Sequence, residues 1–181
     1  MKIQKGKLSA AFATVFTLIL WSTMPGFGQG VYQTLRTFGF VEQSSASPAG
    51  SLTEGTNGAL YGLSQNGGQA GVGTLFRVNK DGSGFAVLKS FSGTNGEGSS
   101  PAAGLFLATN GLLYGTTFNG GASNVGTIFR IDQNGSNYAV IKSFTGAAGD
   151  GSAPSRPLMQ AANGVLYVAT GTQLYAVKEP K

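Results

Sequence analysis

The sequence predicts an all-β fold, a β-propeller-like array of four-stranded antiparallel blades built from about three 53-residue repeats. Phe38, Phe91 and Phe144 stand 53 residues apart, so the chain is a tandem repeat. Glycine is abundant, with 30 of 181 residues. Units of about 50 residues rich in glycine and in β-branched or aromatic residues are typical of propeller blades. Leu-Tyr pairs share the interval, at 60–61, 113–114 and 166–167.

Residues 1–28 precede the repeats and have the pattern of a secretory signal peptide. Three lysines lead into an apolar run from Leu8 to Trp21, and the small residues Gly26 and Gly28 suit cleavage after Gly28. The alternative is an uncleaved membrane anchor, but the run is shorter than the ~20 residues that a spanning helix needs. We therefore expect residues 29–181 to form a single repeat domain that is secreted, periplasmic or at the cell surface, with no membrane contact.

Each repeat carries four strand signals in a fixed order. Asn110-Gly111 and Asn134-Gly135 separate apolar runs, and this dipeptide is typical of a type I′ hairpin turn, in which both central residues have a positive φ. The runs are apolar at consecutive positions, as expected for a sheet that is covered on both faces. In the second repeat the predicted strands are 104–108, 112–116, 127–131 and 138–144.

The ends of the chain fall at different points of the repeat. The repeats span about 39–91, 92–144 and a truncated 145–181, whose three strands end at Leu174–Val177. Residues 31–38 match a fourth strand, so we expect them to complete the last blade and cover its edge. Propellers usually have four to eight blades. A homodimer that completes a six-blade ring would resolve the shortage, and an open arc is the alternative.

Several motifs together resemble the GloVer tandem repeat of exported bacterial proteins. The motifs are Leu-Tyr-Gly-Thr-Thr at 113–117, Asn-Gly-Gly at 119–121, Gly-Thr-Ile-Phe-Arg-Ile at 126–131 and Ser-Phe-Thr-Gly at 143–146. The resemblance covers nearly all of residues 31–170. It implies repeats, export and often surface attachment, and it brings no catalytic residue with it.

The topology of a four-stranded meander places the longer polar loops on one rim, which is the candidate binding face. These loops join the second strand to the third and one repeat to the next. An extracellular glycan or another surface protein is the expected partner. The candidate binding residues are Asn66, Gly67, Gly68, Glu97, Ser99, Phe118, Asn119, Gly120, Gly121, Asp150 and Ser152.

Two of these residues, Glu97 and Asp150, are carboxylates one repeat apart. They could act as an acid and base pair or hold a cation. The preferred interpretation is that they are solvated turn residues between glycines, because a Ca²⁺ site needs several more oxygens. Likewise, the Asn-Gly-Gly loops could offer amides to a sugar, or their glycines could simply supply a positive φ.

Two other periodic sets have a functional and a structural interpretation. Tyr61, Tyr114 and Tyr167 could stack on glycans, but their positions beside leucines favour the core. Arg36, Lys89 and Lys142 could form a ring of cations for an anionic ligand. We prefer solvated charges on outer strands, which discourage edge pairing.

The composition excludes several classes of site. Histidine and cysteine are absent, so catalytic triads with His, Cys-His pairs and the common zinc sites cannot form, and we expect no catalytic residue, metal or cofactor. The chain has 12 Lys or Arg and 7 Asp or Glu, and loss of the three N-terminal lysines would leave a net charge near +2, which does not favour nucleic acid. The sequence therefore predicts an exported, non-enzymatic repeat scaffold for binding or structure. The alternatives are a propeller-type glycoside hydrolase or lyase that uses Glu97 and Asp150, or a non-functional fragment of a longer array.

Overall fold

The regular elements in the part of the protein that the structure describes are all β-strands. The computed structural model describes residues 33–37 and 45–178, and within this part there is no helix, and hence none that could cross a membrane. The strands are, in chain order, β1 (Ser45–Glu54), β2 (Leu60–Gly67), β3 (Thr74–Val78), β4 (Ala86–Ser90), β5 (Gly98–Ser99), β6 (Phe106–Leu107), β7 (Leu113–Thr117), β8 (Asn119–Gly120), β9 (Thr127–Ile131), β10 (Ala139–Ser143), β11 (Met159–Gln160), β12 (Leu166–Ala169) and β13 (Leu174–Val177). The predicted signal peptide, residues 1–28, lies outside the described residues.

Each repeat forms one antiparallel sheet. The first sheet has the order β1-β2-β3-β4, the second β6-β7-β9-β10, and the third β11-β12-β13, while β5 and β8 form a separate short pair. The four-stranded meander is therefore confirmed for the first two repeats. Within the described residues the third repeat supplies three strands, the last of which is Leu174–Val177, as expected from the sequence.

The hairpin turns differ from the predicted type I′. Gly58 and Gly111 have a positive φ of 77° and 82°, but neither Asn57 nor Asn110 is among the residues with a positive φ. The Gly111 amide donates to the carbonyl of Ala108, three residues earlier, at 2.9 Å. This is the pattern of a type I turn followed by a left-handed glycine. The Asn110 side chain favours it, because its Oδ1 accepts from the Leu112 amide at 3.1 Å.

Consecutive sheets share a hydrophobic core. In the first core Phe91 meets Phe129 edge to face, with ring centroids 5.3 Å apart, and both side chains are fully buried. In the second core Phe144 meets Tyr175 in the same way at 5.1 Å. The second sheet is thus covered on both faces, as predicted. The first core contains Ala59, Tyr61, Leu63, Leu75, Phe91, Leu105, Leu113, Phe129 and Ile131, and the second contains Ala108, Tyr114, Ile128, Phe144, Leu158, Leu166 and Val168.

Two of the three periodic tyrosines belong to these cores. Tyr61 and Tyr114 have no exposed surface, and their hydroxyls accept hydrogen bonds from Asn57 and Asn110 at 2.9 Å. They have no free ring face for a glycan, so their interpretation as core residues is confirmed. Tyr167, in the third repeat, is only half-buried.

Residues 31–38 do not complete the third sheet, at least where they are described. Residues 33–37 form no strand, and a side chain at Gly82 would overlap the carbonyl of Leu35. The Arg36 guanidinium carbon lies 3.8 Å from the centre of the Phe85 ring. The same contacts recur 53 residues later, where Leu88 abuts Gly135 and Lys89 lies 4.5 Å from the centre of the Tyr138 ring. The segment therefore takes the place on the first sheet that β4 takes on the second, and none of residues 33–37 pairs with the third sheet of the same chain.

Candidate functional site

The rim loops, defined here as residues 64–72, 96–101, 117–125 and 149–154, are tied together by their backbones. β5 in the second loop pairs with β8 in the third. The Ser100 amide donates to Val72 at 2.7 Å, and the Phe118 amide donates to Ser100 at 3.1 Å. The loop between the first two repeats is thus hydrogen bonded to both Asn-Gly-Gly loops. The Ala153 amide donates to Val125 at 2.7 Å, which repeats the first contact one period later.

A carboxylate cluster, defined by Lys89, Ser92, Glu97 and Tyr138, lies at the base of the loop 96–101. The Lys89 ammonium donates to Oε1 of Glu97 at 2.6 Å, and the side chains are 21% and 26% exposed. Oε2 of Glu97 accepts from the Ser92 hydroxyl at 2.7 Å and from its amide at 3.2 Å. Glu97 therefore closes the loop onto the end of β4.

A second carboxylate cluster repeats this arrangement with Lys142, Thr145, Asp150 and Tyr175. The Lys142 ammonium lies 2.9 Å from Oδ1 of Asp150. Oδ2 accepts from the Thr145 hydroxyl at 2.8 Å and from its amide at 2.9 Å. The Tyr175 hydroxyl donates to Oδ1 at 3.0 Å and accepts from the amide of Gly151.

The tyrosines of the two clusters come from different strands. Tyr138 immediately precedes β10, whereas Tyr175 lies on β13. The Lys89 and Lys142 ammonium groups lie 4.5 Å and 5.9 Å from the respective ring centres. In both places the sheet of the next repeat presents a phenol ring to a lysine–carboxylate pair.

The clusters keep both carboxylates ionised. Partial burial disfavours the charge on Glu97, but the hydrogen bonds from Lys89 and Ser92 outweigh it, so its pKa is lowered from the ordinary 4.5. Hydrogen bonds from Lys142 and Thr145 lower the pKa of Asp150 far below its usual range. Burial, followed by the charge of Glu97, raises the pKa of Tyr138 well above its usual value.

These contacts correct two interpretations from the sequence. Glu97 and Asp150 are not solvated turn residues, and Lys89 and Lys142 are not solvated outer-strand charges, because each lysine pairs with the carboxylate of its own repeat junction. The physical reason is that the rim loop folds back over the end of the preceding strand. A signal was present in the sequence, since lysine and carboxylate are eight residues apart in both repeats.

The remaining candidate residues divide into exposed and structural positions. Phe118 is 42% exposed, and Asn66 and Ser152 are also exposed, whereas Ser99 is buried. Asn119 is half-buried in β8. The four glycines all have a positive φ, which favours the interpretation that they are needed by the backbone. Their φ values are 89° for Gly67, 77° for Gly68, 81° for Gly120 and 77° for Gly121.

The repeating sheets and carboxylate clusters can be compared with known families of repeat proteins. Residues 13–176 match the model of the Gloeobacter/Verrucomicrobia repeat family. The chain belongs to this family. No curated protein matches the chain. The match of the family model takes in the rim loops, both carboxylate clusters and all but the last residue of the three sheets.

This member of the family also has a cleft that the sequence did not predict. It has a volume of about 420 Å³ and lies beside the β9–β10 turn. Asp132 is the carboxylate that lines this cleft. It accepts hydrogen bonds from the Ser136 hydroxyl at 2.9 Å and the Asn137 side-chain amide at 2.7 Å, so it stabilises the turn. Among the described residues, no three or more Asp, Glu, His or Cys side chains group closely enough to hold a metal. The cleft is lined by Leu112, Arg130, Asp132, Asn137 and Tyr138.

Proposed function

We propose that this member of the repeat family is an exported, non-enzymatic scaffold whose sheets are arranged as propeller blades and whose rim loops bind an extracellular glycan. The observation that carries the proposal is the repetition of the carboxylate cluster. Each cluster fixes a rim loop in the same way, one repeat apart. Loops held rigidly at a regular spacing suit an extended ligand that is itself repetitive.

The groups on the rim fit a sugar ligand. Phe118 exposes an aromatic ring that could lie against a pyranose face, and Asn119 and Asn66 carry amides that both donate and accept hydrogen bonds. Binding residues on loops that a rigid scaffold positions are a common arrangement. The rim thus offers apolar contact and neutral hydrogen-bonding groups side by side.

The state of the carboxylates supports binding over hydrolysis. A glycoside hydrolase needs one carboxylic acid that stays protonated near neutral pH, which requires a raised pKa. The pKa values of Glu97 and Asp150 are both lowered, and each side chain is committed to a lysine and a loop hydroxyl. Neither group is then disposed to donate a proton to a leaving group.

The first test asks whether the protein is exported and where its N-terminus lies. The full-length gene is expressed in a bacterium, the culture is fractionated, and the intact mass of the product is measured. We expect an exported chain that lacks residues 1–28. The family match begins at residue 13, within that segment, so the measured N-terminus decides the boundary. A full-length product that stays in the cytoplasm would refute export.

The second test is a glycan array probed with the exported chain. Phe118→Ala should lower binding at least tenfold. The control is Thr109→Ala, an exposed residue of the tight β6–β7 turn, which should bind as the wild type does. Equal binding by all three proteins, or binding to no glycan, would contradict the proposal. Hydrolysis of a bound glycan that Glu97→Gln abolishes would support the enzymatic alternative.

A further inference from the structure

The third sheet has an outer face that no described residue covers. Its register pairs Tyr167 with Met159 and Ala176, and Ala169 with Leu174, so these side chains share one face. Leu174 is 70% exposed and Met159 is 58% exposed. The opposite face packs into the second core. We call the uncovered surface the exit face, defined by Met159, Tyr167, Ala169, Leu174 and Ala176.

The same face is covered in the other two sheets. Tyr114 and Thr116, one repeat before Tyr167 and Ala169, have no exposed surface. Two repeats before, Tyr61 and Leu63 are at most 1% exposed. In both sheets the cover is the sheet of the next repeat. The exit face therefore has the position of a sheet-to-sheet interface, and no described residue forms a partner sheet on it.

The first sheet carries the complementary surface. Leu105, Leu113 and Phe129 of the second sheet pack against the first sheet in the first core. Their counterparts one repeat earlier are Leu52, Leu60 and Phe76, which we call the entry face. Leu52 is 53% exposed and Leu60 is half-buried, whereas Phe76 is buried. Leu52 and Leu60 are thus the part of this face that remains accessible.

Residues 34–37 extend the entry face. Leu35 and Arg36 contact the first sheet as Leu88 and Lys89 of β4 contact the second. Among the described residues, the third sheet has three strands and none that takes the place of β4. The described part of the chain therefore offers a fourth strand beside the first sheet and shows none beside the third.

We propose that the exit face of one copy of this chain docks on the entry face of a second copy, whose residues 34–37 become the fourth strand of the docked sheet. The interface is the one that the chain already uses twice between its own repeats. In the first sheet Lys89 pairs with Leu75. Arg36 is the counterpart of Lys89 one repeat earlier, and Leu174 has the register position of Leu75 in the third sheet. Arg36 of one copy therefore lies opposite Leu174 of the other. Two such contacts close a ring of six sheets. The association is independent of any glycan.

The mass of the exported chain in solution tests the proposal. Light scattering coupled to size-exclusion chromatography should give twice the monomer mass for the wild type. Leu174→Asp and Leu52→Asp should each give a monomer, because a charge would be buried in the interface. Phe118→Asp is the control, since Phe118 is exposed on the rim, and it should remain a dimer. A monomeric wild type at tens of micromolar overturns the proposal.

Mixing the two monomeric variants tests the head-to-tail geometry. Leu174→Asp has an intact entry face, and Leu52→Asp has an intact exit face. An equimolar mixture should regain a dimer through one intact interface. A dimer of Leu52→Asp alone would indicate that two exit faces meet, and failure of the mixture to associate would also overturn the proposal. Unchanged circular dichroism spectra and a cooperative thermal transition show that the variants are folded, as expected for exposed positions.

A disulfide defines the contact at residue level. The chain has no cysteine, so Arg36→Cys with Leu174→Cys introduces the only two cysteines of each copy, and neither single variant should crosslink. Oxidation should give a covalent dimer. The control pair, Arg36→Cys with Ser123→Cys on an exposed loop, should not crosslink. A disulfide within one chain would instead mean that the two ends of the same chain meet, which overturns the proposal.

Discussion

Removal of the Glu97 carboxylate should destabilise the protein far more than removal of the Glu54 carboxylate. Both pair with a lysine at 2.6 Å, but Lys89 and Glu97 are 21% and 26% exposed, whereas Lys80 and Glu54 are 59% and 54% exposed. The ion-pair distance is therefore matched, while the burial and the additional hydrogen bonds differ.

The expected magnitude follows from the hydrogen bonds. Glu97→Ala removes the acceptor of the Lys89 ammonium and of the Ser92 hydroxyl and amide. A hydrogen bond to a charged group contributes roughly 1.5–3 kcal/mol when it is buried, and partial solvation of Lys89 offsets part of the loss. We expect Glu97→Ala to lower the free energy of unfolding by about 2 kcal/mol, and Glu54→Ala by no more than about 0.5 kcal/mol.

Urea denaturation followed by far-ultraviolet circular dichroism measures the free energy of unfolding of both variants. Glu97→Gln is an intermediate variant, because it keeps an oxygen acceptor for Ser92 but loses the charge. Equal losses for Glu97→Ala and Glu54→Ala would refute the reasoning, since burial would then have no effect on the strength of the pair. A loss below about 0.5 kcal/mol for Glu97→Ala would refute it as well.

Three further predictions concern pH, the glycines and the core. The pKa of Glu97 is lower in the folded state than in the unfolded state. Its contribution to stability should therefore be complete well above pH 4.5 and be lost as the pH falls through the pKa of the folded state. The urea midpoint should depend less on acid pH in Glu97→Gln than in the wild type. Gly120→Ala should lower the stability to thermal unfolding by about 3 kcal/mol, and Gly111→Ala by about 1 kcal/mol. The two glycines have matching φ values of 81° and 82°, but only a Cβ at residue 120 would overlap the backbone, at the Glu97 carbonyl. Equal losses would contradict this reasoning. Phe129→Ala should cost about 4 kcal/mol or abolish cooperative unfolding, whereas a cost below 1 kcal/mol would show that the sheets do not depend on a shared core.

The sequence predicted the strands well because their signals are local. Apolar runs and Asn-Gly pairs located β9 at Thr127–Ile131 and β13 at Leu174–Val177 without error. The predicted type I′ turn was wrong because the Asn-Gly dipeptide requires a positive φ only at its glycine. The asparagine at position 110 keeps a negative φ and caps the turn with its side chain instead, and this choice depends on the hydrogen bond to Leu112.

The candidate site was harder to predict because its contacts join different repeats. A period places Glu97 and Asp150 in equivalent loops, but it does not reveal that each loop folds back to a lysine. Tyr175 was beyond reach for another reason. It reaches Asp150 from β13, whereas Tyr138 immediately precedes β10, so no alignment of the repeats could pair these tyrosines.

The repetition of one interface has a consequence for the length of the array. Phe91 meets Phe129 and Phe144 meets Tyr175 in the same edge-to-face geometry, so each sheet receives its successor on equivalent surfaces. Duplication of residues 92–144 would add a sheet whose neighbours on both sides are of a kind already present. The number of sheets can then change by insertion or loss of 53 residues at a time without the invention of a new contact, and the length of such a chain is free to vary while its architecture stays the same.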